Sequence, residues 1–171
     1  GCGGSLTNLV SFGLRAISTR KSGMRFFLAL DEADCWIRPQ RAAAFYGVIR
    51  DLVSRTQGGM QALVVSHHAL EVFPANVTVV RLSKSPGGKM RSDLMANQTW
   101  SNDEVQGIRS LRLIDFASAE DVTIPLGPGV TVITGENNIG KSRFMQALRA
   151  VFYGESSDGD IRHGAKSAQV E

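Results

Sequence analysis

The chain has 171 residues, 43% of them hydrophobic and 20% charged, with a formal net charge of +3. This is enough for one core of ordinary domain size and excludes a disordered or fibrous chain, while two cysteines, Cys2 and Cys35, outside any metal-ligand spacing exclude a disulfide framework or zinc site. No apolar run approaches the ~20 residues that span a bilayer and no charged-then-apolar leader opens the chain, so the expectation is a cytoplasmic protein with no membrane partner. The mild basic excess suits nucleic acid and many other partners equally. Gly1 is not an initiator and Val170-Glu171 reads as the opening of a strand, so the sequence is expected to be a fragment of something longer.

Leu6, Leu9, Val10, Leu14 and Ile17 recur at helical spacing and predict a helix over 7–19, directly after the Gly-rich opening. The run 26–30 is continuously apolar and closes on Asp31-Glu32, the pattern of a buried parallel strand carrying acids at its C-terminal end. Pro39 then opens a helix over 40–56 with Ala43, Phe45, Tyr46, Ile49, Leu52 and Val53 on its apolar face. A second buried strand over 61–65 closes on Ser66-His67-His68, and a short strand over 77–82 comes after Pro74. From 83 to 106 the composition shifts to Ser-Pro-Gly-Gly, charges and amides, read as a hairpin and linker. Strands are expected over 108–116, 121–126 and 130–133, and a helix over 142–153. Strands alternating with helices argue an α/β fold.

Gly135-Glu136-Asn137-Asn138-Ile139-Gly140-Lys141-Ser142 spells G-x-x-x-x-G-K-S between a buried strand and a helix, which is the context this phosphate-binding loop requires. The glycines permit the tight backbone path, Lys141 can reach the β- and γ-phosphates, Ser142 can ligate Mg²⁺, and Arg143 comes next on the same first turn. Asp31 stands where a carboxylate holds that Mg²⁺ through water, and Glu32 where one can orient and deprotonate an attacking water. His67 is a candidate γ-phosphate contact or linchpin for water and base, with His68 as its rival. Taken singly, each motif has an ordinary reading: a Gly-rich turn, a solvated acidic strand end, a surface histidine. Their co-occurrence favours function. The order is unusual, since both strand-end motifs precede the phosphate loop, and the chain reads as circularly permuted.

Together, Gly-Gly before a helix, the strand ending Asp31-Glu32, the strand ending Ser66-His67 and the loop 135–142 resemble the ABC-type ATPase heads of the SMC, RecF, RecN and OLD-nuclease group. The resemblance covers most of the chain and includes the strands at 108–116 and 129–135, the stretch Ile161–Ala165, and a proline at position 39. It implies a P-loop NTPase: an ABC-ATPase-like mixed sheet with flanking helices and an antiparallel β-subdomain, circularly permuted. A front half (1–82), a hairpin and junction linker (83–107) and a phosphate-loop half (108–171) would together form one ATPase domain. It further implies ATP and Mg²⁺ as substrate and cofactor, an ATP-dependent homodimer and DNA as a partner, with Lys84, Lys89 and Arg91 as weak basic support. In such heads a signature motif binds the γ-phosphate held by the opposite protomer; Gly3, Gly4 and Ser5 occupy that place here, with Cys2 where serine is usual. A Gly-rich chain end with no such role is the competing reading. No Q-loop glutamine is assigned, Gln169 included, and Arg162 is either a phosphate- or DNA-reaching arginine or an ordinary exposed one. The alternatives are a nucleotide-gated DNA-binding or structural clamp with little hydrolysis, a transporter ATPase subunit, and an artificial joining of two gene halves in reversed order.

Overall fold

The computed structural model describes residues 27–54, 61–95, 100–105 and 107–171. The helix expected over 7–19 and the trans-site candidates Gly3, Gly4 and Ser5 lie outside these residues. In chain order the elements are β1 (Phe27–Asp31), α1 (Pro39–Ser54), β2 (Gln61–Val65), β3 (Thr78–Lys84), β4 (Met90–Leu94), β5 (Ser110–Phe116), β6 (Ala119–Pro125), β7 (Val130–Gly135), α2 (Lys141–Tyr153) and the short β8 (Gln169–Val170).

Five strands form the main sheet in the order β1-β2-β7-β3-β4. The first four are mutually parallel, and β4 closes the edge as the antiparallel partner of β3. β7, seventh along the chain, therefore sits at the sheet centre between strands that precede it by more than forty residues. A parallel strand at that position is buried on both faces, which is why 130–133 is built of Val, Ile and a single buried Thr131. A smaller antiparallel sheet has the order β6-β5-β8.

The period-2 alternation of strand side chains sorts the core into two layers. Val64, Val79, Val130 and Val132 pack with Ala42, Phe45, Tyr46, Ile49 and Val53 of α1. Leu63, Val65, Val80, Leu82 and Ile133 face the other way, against Phe144, Ala147 and Leu148 of α2 and Leu111, Leu113 and Phe116 of β5. The main sheet is thus covered by α1 on one side and by α2 with the small sheet on the other.

Within 83–106, read as a hairpin and linker, the hairpin is formed. β3 runs on to Lys84, and β4 pairs with it from Val80↔Leu94 to Lys84↔Met90 around the Ser-Pro-Gly-Gly turn. Glu171, at the end of the expected strand opening, exchanges backbone hydrogen bonds with Arg112 at 2.8 and 3.0 Å.

The two portions of the chain are pinned together at Gln61, a buried amide at the start of β2. Its Oε1 accepts the Ile108 amide at 2.8 Å, and its Nε2 donates to the carbonyls of Ile108 at 2.9 Å and Gly127 at 3.3 Å. Gln61→Ala leaves those three backbone groups without that partner and is expected to destabilise the fold by about 2–4 kcal/mol, read as a lower urea midpoint with unchanged slope.

Candidate functional site

The C-terminal ends of β1, β2 and β7 are adjacent in the sheet, so the residues at or just beyond each strand end are delivered to one place. Those residues are Asp31-Glu32, Ser66-His67-His68 and the loop 135–142.

The loop's path depends on its glycines. Gly135 has φ 145°, and a Cβ there would lie 2.5 Å from the Leu82 carbonyl oxygen; Gly140 has φ 102° and its Cβ would lie 2.6 Å from Met90 Cε. A side chain at Gly135 would strike strand backbone, whereas at Gly140 the near atom is the end of the flexible Met90 side chain and it is the positive φ that favours glycine. Asn138 takes a left-handed φ of 62°, which asparagine tolerates, and Ile139 is buried, anchoring the otherwise exposed Glu136-Asn137-Asn138. α2 begins at Lys141 with no side-chain cap on its N-terminus and no acid in its first turn. The Arg143 amide donates to the Gly140 carbonyl at 3.0 Å, and no side chain blocks the helix N-terminus from an anion.

Lys141 folds back over the loop, its Nζ donating to the carbonyls of Gly135 at 2.8 Å and Glu136 at 2.9 Å. Burial pulls the pKa of this ammonium below the usual lysine range, while the Glu32 and Asp31 carboxylates oppose that shift. A ligand phosphate here would meet a partly desolvated cation.

Ser142 Oγ donates to Asp31 Oδ1 at 3.1 Å. A hydroxyl and a carboxylate converging at this distance are the oxygen donors that a hard cation such as Mg²⁺ takes when waters and phosphate oxygens complete its shell. Among the described residues no group of three or more His, Cys, Asp or Glu side chains could hold a metal unaided. Burial raises the pKa of Asp31, partly offset by the Ser142 hydrogen bond and reinforced by Glu32. The raised value means that the folded state disfavours the ionised form: the penalty is full above the raised pKa and vanishes as pH falls below the ordinary 3.8. Asp31→Asn is therefore expected to raise the metal-free melting temperature at pH 7 by about 1–2 °C, a small gain because the group is half exposed, and to have no such effect near pH 3. Scanning calorimetry at the two pH values checks it.

Glu32 also has a left-handed backbone, φ 50°, with its amide donating to the Val65 carbonyl at 3.0 Å. Positive φ at a glutamate is costly and turns the side chain away from the strand direction. It meets His67, whose Nε2 lies 2.5 Å from Glu32 Oε1 and whose Nδ1 lies 2.9 Å from Asn137 Oδ1 in the phosphate loop. One imidazole thereby joins the acidic strand end to the loop. His68, the rival, turns inward, its Nε2 3.3 Å from the Asp34 carbonyl oxygen.

The structure brings together Asp31, Glu32, His67, Gly135, Glu136, Asn137, Asn138, Ile139, Gly140, Lys141 and Ser142. It does not bring Arg143 to them: that guanidinium lies along α2, Nη1 donating to Gln146 Oε1 at 2.7 Å. Arg162 is paired with Asp115 at 2.6 Å, and Lys89 with Glu120 at 2.8 Å. Asp34, Tyr46, Ser66 and Thr134 form a polar cluster behind the site; the sequence reading placed Asp34 and Ser66 in the strand-end motifs and Tyr46 in the core, but gave none of the four a shared role. Tyr46 was legible as core, yet a buried tyrosine hydroxyl requires a partner, and that requirement was the available signal.

A mixed sheet with a strand–glycine loop–helix unit at its centre, and carboxylates and a histidine on the neighbouring strand ends, is consistent with a P-loop ATPase of the AAA type. Residues 105–171, which contain the loop and α2, match the family described as an AAA domain. The chain is similar to the DNA double-strand break repair Rad50 ATPase of Thermoplasma acidophilum, at 41% identity over 68 residues, 37% of this chain and 8% of the relative. It is also similar to the DNA repair protein RecN of Xylella fastidiosa (35% over 63 residues; 37% of this chain, 11% of the relative) and to the DNA replication and repair protein RecF of Brucella abortus (44% over 41 residues; 24% and 11%). The chain thus resembles the SMC/RecF/RecN-like ABC-type ATPases, and the matched stretch spans about a tenth of these curated relatives' length. No solved structure matches it. Among the described residues no helix is long and apolar enough to cross a membrane.

Proposed function

We propose that this chain is an ATP-binding and ATP-hydrolysing head domain of a DNA-associated ATPase, with the segment bearing Asp31, Glu32 and His67 preceding the phosphate-loop segment by circular permutation. The observation that carries the reading is the His67 bridge from Glu32 at 2.5 Å to Asn137 at 2.9 Å, because it gathers three motifs, 35 and 70 positions from His67, in one cluster. The central place of β7, between strands that come earlier in the chain, supports the permutation.

In this reading the loop amides and Lys141 hold the β- and γ-phosphates, exchanging the Gly135 and Glu136 carbonyls for phosphate oxygens. Ser142 and Asp31 would hold Mg²⁺, which when bound neutralises charge on the phosphates. Glu32 orients a water and takes its proton as the water attacks the γ-phosphorus, and His67 fixes Glu32 while facing the loop. Positioning and charge neutralisation are most of what phosphoryl transfer needs. Two copies would enclose two ATP–Mg²⁺ units, with Gly3, Gly4 and Ser5 contributed in trans.

DNA as partner rests on the DNA-repair names of the relatives and on the basic excess. Phosphate release from Mg-ATP, measured with and without duplex DNA, tests the reading; hydrolysis that requires Mg²⁺ supports it and its absence contradicts it. If DNA binds through the basic residues, its affinity must fall as salt rises. Cys2 at the serine position of the signature favours a second reading, a nucleotide-gated clamp that binds ATP and turns it over slowly. Dimerisation on ATP without phosphate release would select that reading.

A further inference from the structure

Behind the Glu32–His67 pair lies a buried acid that the proposed reaction does not use. Asp34 is 0% exposed, in the tight turn after β1 where the Cys35 amide donates to the Glu32 carbonyl at 3.1 Å and the Ile37 amide to the Asp34 carbonyl at 2.9 Å. Its Oδ2 accepts two hydroxyls, Tyr46 of α1 at 2.6 Å and Ser66 at the end of β2 at 2.5 Å. Its Oδ1 has no hydrogen-bond partner. Ser66 Oγ also accepts the His68 amide at 3.1 Å, and the His68 carbonyl accepts the Thr134 hydroxyl of β7 at 2.9 Å. The cluster thus ties together the ends of β1, β2 and β7, the three strands that carry the site, and fastens them to α1.

A buried carboxylate with one oxygen unpartnered is a poor stabiliser, since well-packed apolar residues of similar volume generally serve stability as well or better. What it supplies is fixed geometry: one oxygen receiving two hydroxyls sets the spacing between the acidic turn and the Ser66-His67 turn. Glu32 needs such support, because its left-handed backbone persists only if the surroundings impose it.

We propose that Asp34 is a positioning residue that holds Glu32 and His67 in register through Ser66 and Tyr46. This rests on the ATPase reading above. The test compares Asp34→Ala, Asp34→Asn and Tyr46→Phe in the full chain by steady-state hydrolysis of Mg-ATP and by the ring ¹⁵N shifts of His67, assigned with His67→Gln. Asp34→Ala is expected to lower kcat about tenfold to a hundredfold with KM within about threefold, since a displaced base costs turnover rather than binding. Asp34→Asn keeps an oxygen for both hydroxyls and should recover most of the rate; Tyr46→Phe, losing one of the two hydrogen bonds, should fall between. The His67 ring shifts should move in Asp34→Ala and return in Asp34→Asn.

Unchanged kcat and unchanged His67 shifts in Asp34→Ala would overturn the proposal, as would Asp34→Asn being as slow as Asp34→Ala. If Asp34→Ala does not fold, Tyr46→Phe decides: a lowered kcat at constant KM supports the proposal, and wild-type kinetics refute it. If the wild-type chain hydrolyses no ATP, the ATPase reading fails by itself, and the His67 shifts across the three variants still decide whether Asp34 sets the pair's geometry.

Discussion

Lys141→Ala is expected to lower the affinity for ATP by two to three orders of magnitude while leaving the fold intact. The ammonium lies over the loop with two carbonyl partners, and each is a hydrogen bond that phosphate oxygens can take over with charge assistance. Hydrogen bonds to charged groups are worth about 1.5–3 kcal/mol each, and two of them correspond to roughly a hundredfold or more in binding. Alanine suits the first turn of α2, so stability should change little. Isothermal titration calorimetry with Mg-ATP reads the effect, and an unchanged dissociation constant would remove Lys141 from the site.

Glu32→Gln is expected to separate binding from turnover. Glutamine is isosteric, retains an oxygen that the His67 Nε2 can face, and keeps the volume of the left-handed turn, so ATP affinity should stay within about threefold. It cannot accept a proton from water, and loss of a positioned general base costs about 10²–10⁴ in rate. Single-turnover phosphate release measures it. Hydrolysis at the wild-type rate would assign the base elsewhere.

Much of this arrangement is legible in the sequence, for reasons that differ element by element. The central parallel strands β2 and β7 are buried on both faces and are dominated by β-branched and apolar residues, the edge strand β1 reads as an apolar run closed by acids, Pro39 opens α1, and the glycines of 135–140 have a backbone requirement that few other residues meet. β4 was less visible: Met90–Leu94 carries Arg91, Ser92 and Asp93 at a sheet edge, where polar side chains are tolerated and the periodicity signal fades. The order of strands in space was not legible at all, because residues 130–135 carry no local sign that they insert between β2 and β3.

At the candidate site, motif spacing singled out Asp31, Glu32 and His67, which lie at or just beyond the ends of recognisable strands, and Lys141, which opens α2 after the glycine loop. The choice between His67 and His68 needed the fold: only tertiary packing turns one imidazole toward Asn137 and the other toward Asp34. For the same reason the burial of Asp34 was not legible. An acid in an acidic turn ordinarily faces water, and the two hydroxyls that make its burial tolerable come from residues 12 and 32 positions away.

The central claim is that two sets of motifs, in reversed order along the chain, build one nucleotide site. Backbone amide NMR during a titration with Mg-ATP tests this most directly, by tracking Gly135–Ser142 together with Glu32 and His67. Chemical-shift changes at both groups that saturate with a single dissociation constant are the predicted result. Perturbation of the loop alone, with Glu32 and His67 unmoved at saturation, would contradict it.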